Sequence, residues 1–490
     1  FVQGTLADVL SHYGYVDLEL RPSPYVVSQM NGAYYWLPDF IAGQHPLDGP
    51  ADVAAWHERL AGLAGVLDSE TGRIGDDAAR GIVPPRFVID RTLAQIAALR
   101  DGSPGASPLI APAAARAAQN GLGDILPSAE LTFREVIAPA LSRQIDALDA
   151  LRSRAVDTAG VWRLPDGEAY YAAALRANTT VDDSPARLHE AGLAQVEDLL
   201  ARIDQSLAAQ GLTQGSVGAR IRAMNSDVRF LATDDDAGRD RLLATARQAL
   251  ERVSARLPSA FLTTGVEPVI VERVPQTIEQ GSPGAFYQEG APGEPGVFRL
   301  NLSSVAEHPL WRLPTLAHHE GVPGHHFQAG VLRQAGALPL FRRMAVFSAY
   351  SEGWALYAQQ VADELEVFED DPFARIGYLQ SQLFRAARIV VDTGLHFRRW
   401  ERAQAVAWMV DRIGEPAESA GREIDRYCVY PGQACSFKVG ANAIVAAREA
   451  ARTRLGPAFD IRRFHERVLT SGPVPMAVLA SMTAQWDGAA

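Results

Sequence analysis

The fold class this sequence predicts is mainly α, a large multi-helix protein with one small β-sheet, and three observations predict it. Apolar residues recur at steps of three and four over much of the chain. Residues 265–302 break that rhythm with short β-branched and aromatic runs between Gly and Pro clusters. The chain has 490 residues of which 47% are hydrophobic, enough to bury a large core and too many for a disordered protein.

In chain order, helices are expected near 51–66 and 87–100, then a loop or subdomain joint at 102–112 (GSPGASPLIAP). Ile137, Leu141, Ile145, Leu148 and Leu151 form one helical stripe. Leu193, Val196, Leu200, Ile203 and Leu207 form a second, with Ser184 as N-cap and Pro185 in its first turn. Leu242, Ala246, Leu250, Val253 and Leu257 form a third. Val269–Val274 and Val297–Leu302 read as strands, with Ala285–Tyr287 a third, joined by hairpin loops rich in Gly and Pro. Further helices are expected at 348–366, 376–411 and 440–454. Neither a repeat nor a linker is visible, so residues 1–490 are expected to form one large domain. Its N-terminal helical part is 1–125 and the remainder 126–490.

The balance of 46 basic and 58 acidic residues gives a net charge of −12, which argues against nucleic acid and anionic membranes as partners. The uncharged stretch Val468–Trp486 is interrupted by Gly472, Pro473 and Pro475 and is not expected to span a membrane. Two cysteines, Cys428 and Cys435, exclude a disulfide scaffold, read as core thiols and fit a cytoplasmic location. The chain starts at Phe1, so an upstream segment is left open.

Four of the eleven histidines fall in the string HHEGVPGHH: His318, His319, His325 and His326, with Glu320 among them. Imidazoles beside a carboxylate suit zinc, and a neighbouring Glu can serve as general base. The helical H-E-x-x-H form does not apply, because residue 323 is proline. On a straight helix His319 and His325 would differ by about 240° and about 9 Å, too far for one ion. A two-residue bulge at Pro323–Gly324 repairs the spacing. His319 and His325 are then the expected ligands and Glu320 the general base, with His326 a reserve ligand or a support. The competing reading is a histidine-rich helix end without metal. Glu352, in SEGWALY, follows His325 by 27 residues and is the expected third ligand from a return helix. One Zn²⁺ per chain is expected, although another divalent ion stays open.

These strings resemble a known family. HEGVPGHHFQ (319–328) followed by SEGWALYAQQ (351–360) is similar to the domain-of-unknown-function family 885, DUF885, grouped with the thermolysin-like gluzincin zinc peptidases. The likeness extends to SPYVV (23–27), GIVPPRFVID (81–90), YYAAALR (170–176), GVFRLNL (296–302), RIVVDTGLH (388–396), RYCVYPGQACSFKVG (426–440) and FHERVLTSGPVP (464–475). The resemblance implies a large helical fold with a small sheet beside the site, a metal-site core over about residues 265–440, and zinc-dependent hydrolysis. The Pro–Gly insertion belongs to that family's pattern.

Beyond the metal, His396 is a candidate oxyanion donor, with Asp392 four residues before it to orient it; an ion pair is the alternative. Arg388 and its neighbour Arg385 are candidates to hold a substrate carboxylate. Tyr427 is a candidate catalytic hydroxyl, and Gln433 a further polar group of the same segment. Lys438, the only lysine among 46 basic residues, is a candidate for a peptide carboxylate or a buried acid. Asn301, on the last strand, is a candidate substrate contact at a sheet edge, and Tyr170 and Tyr171 are cleft or core residues. Neither a G-x-S-x-G elbow nor a phosphate-binding G-x-x-x-x-G-K loop occurs. The expected function is a zinc metallopeptidase of short peptides. A metal-dependent amidase and a non-catalytic metal-binding protein with a closed four-ligand site are the alternatives.

Overall fold

The computed structural model describes residues 22–488, except 44, 277–278, 280–281, 291–293, 337, 340–341 and 343–346. The N-terminal helices are α1 (Ala33–Gly43), α2 (Pro50–Ala79), α3 (Arg86–Asp101), α4 (Ala111–Gln119), α5 (Leu126–Thr132) and α6 (Ala138–Ala150). They enclose an apolar cluster of their own around Trp56, Leu60, Ile96, Phe133 and Leu141. The cluster runs past residue 125 to Ala155, because the Ile137 stripe on α6 supplies one of its walls. Between α5 and α6 the helix widens into a π-turn, Phe133–Ile137, just ahead of Pro139. Proline lacks the N–H of a regular turn and crowds the carbonyl four residues back, which favours such a widening.

The second core is larger. After α7 (Gly167–Thr179), whose Tyr171 and Leu175 pack in a third, smaller cluster with Val88 and Val161, it gathers α8 (Pro185–Ala209), α9 (Val217–Asn225), α10 (Asp236–Ser254), α11 (Leu313–Glu320), α12 (His325–Gln334), α13 (Ser348–Glu364), α14 (Pro372–His396), α15 (Arg402–Ile413), α16 (Ala417–Val429), α17 (Ser436–Leu455), α18 (Ile461–Thr470) and α19 (Met476–Gln485). The stripes on α8 and α10 face inward as their period requires, with Val196, Ile203, Leu207, Leu242 and Val253 buried. Ser184 caps α8, its hydroxyl accepting the Arg187 N–H at 3.3 Å.

One expected helix is two. The 376–411 pattern ends at His396 and resumes at Arg402. The Trp400 N–H turns back to the Gly394 carbonyl at 2.8 Å, and its indole packs on Gly394, where no side chain intervenes.

The three strands, β1 (Ile270–Arg273), β2 (Ala285–Gln288) and β3 (Val297–Leu300), are those expected, in the order β1-β3-β2. Only β2 and β3 form an antiparallel hairpin; β1 joins β3 in parallel, with Ile270 opposite Val297. Val271, Phe298 and Leu300 turn inward into this core, and β1 packs on α10 and β2 on α11, which sets the sheet beside the histidine-bearing helix. Among the described residues no helix is long and apolar enough to cross a membrane.

Candidate metal centre

The histidine string does not form one bulged helix. α11 stops at Glu320, residues 321–324 bend out of helical conformation, and α12 starts at His325. The break is therefore four residues rather than the expected two. The chain doubles back so closely that a Cβ on Gly324 would stand 1.9 Å from the His319 carbonyl oxygen. The Trp354 indole N–H donates to the Pro323 carbonyl at 2.9 Å and holds the turn against α13. His319 at the end of one helix and His325 at the start of the next thus come face to edge, with ring centroids 4.9 Å apart.

Glu352, in the second turn of α13, completes the group. Its Oε2 lies 3.4 Å from His319 Nε2 and 3.3 Å from His325 Nε2. One donor atom from each of the three residues lies within 4.8 Å of the others. Two ligands at about 2.0–2.1 Å from a tetrahedral zinc stand about 3.4 Å apart, so both nitrogen-to-carboxylate separations fit a shared ion.

Burial lowers the His319 pKa. For His325 burial acts in the same direction, but the Glu352 carboxylate outweighs it and the pKa rises. Burial would raise the Glu352 pKa, yet His325 and His319 together hold it well below the carboxylate range. Gln359 meets the far side of His319, its carboxamide 3.2 Å from Nδ1. It stands two helical turns after Glu352, hence on the same face of α13. That spacing was the available signal for a residue the sequence reading missed.

Glu352 owes its position to a close helix crossing. A Cβ at Gly353 would lie 2.6 Å from the Gly440 carbonyl carbon, and one at Gly440 would lie 1.9 Å from the Ala349 oxygen. The backbones of α13 and α17 therefore touch next to the ligand.

The three donors open onto a cleft of about 880 Å³. Glu320 lines it beside His319. Gln380, Ser381, Phe384, Arg385 and Arg388 line it from one stripe of α14, with Gln433 and Phe437 beyond.

Of the expected further site residues, Arg388 and Gln433 face this cleft, and Tyr427, His396, Lys438 and Asn301 are not among its lining residues. Arg388 donates to Glu423 at 2.8 Å, and Gln433 accepts from Arg426 at 2.5 Å. The Tyr427 hydroxyl is committed to Glu423 at 2.7 Å in a fully buried position. His396 uses both ring nitrogens for structure: Nδ1 accepts the Val161 N–H at 3.1 Å and Nε2 donates to the Tyr427 carbonyl at 3.0 Å. Burial pushes its pKa down to about 4, so the ring is neutral.

Asp392 does not orient His396. It accepts from the Tyr171 hydroxyl at 2.7 Å and the Gly432 N–H at 3.1 Å, and burial raises its pKa to about 7. Lys438 donates to Gln382 at 2.9 Å, with its pKa pushed down by burial to about 8. Asn301 spends its amide on the Glu279 and Ser282 carbonyls at 2.7 and 3.0 Å. His326 turns away from Glu352 and donates to the Glu267 carbonyl at 2.6 Å. Cys428 and Cys435 are free and buried.

Fold and site together define a mainly α-helical protein with a His–His–Glu donor set at one wall of an open cleft. The chain belongs to the family described as "Bacterial protein of unknown function (DUF885)", whose model matches residues 4–482. It is similar to a solved structure described as a "putative lipoprotein" from Colwellia psychrerythraea, with 34% identity over 95% of this chain and 81% of that one and a TM-score of 0.90. It also shares the fold of a "putative lipoprotein of unknown function" from Shewanella oneidensis, at 18% identity over 98% of this chain and 86% of that one, TM-score 0.70. No curated protein matches the chain.

Proposed function

We propose that this protein is a zinc-dependent hydrolase of the gluzincin-like kind that cleaves amide bonds in short peptides. The observation that carries the reading is the donor geometry: one carboxylate oxygen at tetrahedral-edge spacing from each of two histidine nitrogens, opening onto a cleft. Zinc held by His319, His325 and Glu352 would supply a Lewis acid and lower the pKa of a water toward about 7. Glu320, adjacent to His319 in the same cleft, would act as the general base for the attacking water and hand the proton to the departing amine.

Three protein donors beside open space suit a catalytic rather than a closed structural site, which takes four. Gln359 orients His319 from behind. Peptides are the proposed substrates, and non-peptide amides are the alternative that a substrate screen separates. The cytoplasmic location expected from the cysteines is set against relatives described as lipoproteins. That description favours a place outside the cytoplasm, and cell fractionation decides it.

The test is a peptide mixture incubated with zinc-loaded protein and read by mass spectrometry, beside Glu320→Gln. The variant is expected to keep its zinc and lose at least about 10²-fold in turnover. Full activity in the variant would remove Glu320 from the mechanism.

A further inference from the structure

Charge in the cleft is unevenly matched. Its carboxylates other than Glu320 and Glu352 already have arginine partners outside the α14 stripe: Glu289 with Arg333 at 3.2 Å, Glu307 with Arg422 at 3.4 Å, Glu415 with Arg312 at 3.3 Å. On the α14 side, Arg388 and Arg426 share one carboxylate, Glu423, at 2.8 and 3.1 Å.

Arg385, one turn before Arg388, has no carboxylate within 4.0 Å among the described residues; its Nη1 donates to the Ser381 hydroxyl at 3.0 Å. Three guanidiniums against one carboxylate leave two positive charges on this wall. Glu320 and Glu352 do not offset them once a divalent metal sits between, because those two charges then cancel the ion's.

Both guanidiniums are desolvated as well. Arg385 and Arg388 lie over the Phe437 ring at 5.9 and 4.7 Å and over Phe384 at 5.4 and 4.7 Å. Arg385 Nε and Arg388 Nε and Nη1 are buried without a hydrogen-bond partner among the described residues. Burial and the neighbouring Arg388 charge lower the Arg385 pKa to about 10. A desolvated, uncompensated cationic pair is costly unless a ligand supplies the countercharge.

We infer that Arg385 and Arg388 receive the C-terminal carboxylate of a peptide substrate, so that cleavage removes a short C-terminal piece. The inference rests on the hydrolase reading for the cut and on the arginine wall for its position. Phe437 sets the distance: its ring stacks on His319 at 6.3 Å and lies 4.7 Å from the Arg388 guanidinium carbon. Those two separations meet at one ring and span at most about three extended residues, which places the cut one to three residues from the C-terminus. Arg385 is the better probe, since it holds no carboxylate, whereas losing Arg388 removes one of the two arginines that Glu423 pairs with.

The experiment compares zinc-loaded wild type and Arg385→Gln on one peptide made with a free C-terminal carboxylate and with a C-terminal carboxamide. Wild type is expected to prefer the free acid by about 10- to 100-fold in kcat/KM, the worth of a hydrogen bond to a charged group. Arg385→Gln is expected to bring that ratio close to one. Equal wild-type cleavage of acid and amide, or an undiminished ratio in the variant, overturns the inference and leaves the hydrolase reading intact.

Calorimetric binding of both peptides to Glu320→Gln, loaded with zinc, covers the case in which neither is cut. An acid preference of tenfold or more then supports the arginine wall while the hydrolase reading fails. Equal or absent binding removes both.

Discussion

Gly353→Ala pits two effects of opposite sign against each other. In a helix interior Ala is better than Gly by about 1 kcal/mol, so propensity alone predicts a stabilised α13. The structure predicts the reverse. The new Cβ would stand 2.6 Å from the Gly440 carbonyl carbon and 2.7 Å from its Cα, where ordinary contact begins at 3.4 Å. The obstacle is backbone, which has no rotamer to move aside, so α13 and α17 must separate by nearly 1 Å. Overpacking of this kind costs about 1–3 kcal/mol, and a backbone contact belongs at the upper end. The net expectation is about 2 kcal/mol of destabilisation, with weaker zinc binding because Glu352 moves with the helix.

Gly65→Ala in α2 is the control, since a Cβ there meets nothing within 4 Å, and it should stabilise by about 0.5–1 kcal/mol. Urea unfolding followed by circular dichroism measures both variants. A Gly353→Ala protein as stable as wild type, binding zinc equally well, would refute the claim that this crossing positions the ligand.

Two further outcomes are expected. Gln359→Leu should weaken zinc binding about 10- to 100-fold by freeing His319 Nδ1, and an unchanged affinity in a metal-buffer titration would count against its positioning role. Asp392 has a folded pKa of about 7 against an ordinary 3.8. Its stability contribution is therefore full below about pH 3.8 and declines as pH rises through 7, by at most about 4 kcal/mol. Asp392→Asn should accordingly flatten the fall in urea midpoint between pH 5 and 8, and an equally steep fall in the variant would assign that titration to other groups.

How far the sequence could be read depended on the range of the interaction behind each feature. The stripes on α6, α8 and α10 and the Ser184 cap are local, and they are found where their periodicity puts them. His319, His325 and Glu352 were legible because a proline inside a histidine string leaves few geometries that bring the imidazoles together. The α14–α15 break was not legible: residues 397–401 hold no Gly or Pro, and the turn depends on an indole returning to Gly394.

His396 reads as a donor because Asp392 stands four residues before it on a helix, and Tyr427 because it shares a segment with Gln433 and Lys438. Their partners decide otherwise, and the Val161 N–H that occupies His396 is 235 residues away. Asn301 is expected on a strand but follows β3 directly, and its amide ties the β1–β2 connection to the end of β3. Side-chain direction, invisible in composition, turned Lys438 to Gln382 and Arg385 to the cleft.

The measurement that bears most directly on the central claim is metal content by elemental analysis after zinc is offered, for wild type and Glu352→Ala in parallel. The account predicts one zinc per wild-type chain and loss of that zinc in the variant, with the fold retained by circular dichroism. Zinc-free wild type under the same loading, or full zinc in the variant, would contradict it: the first removes the metal centre, the second removes Glu352 from it.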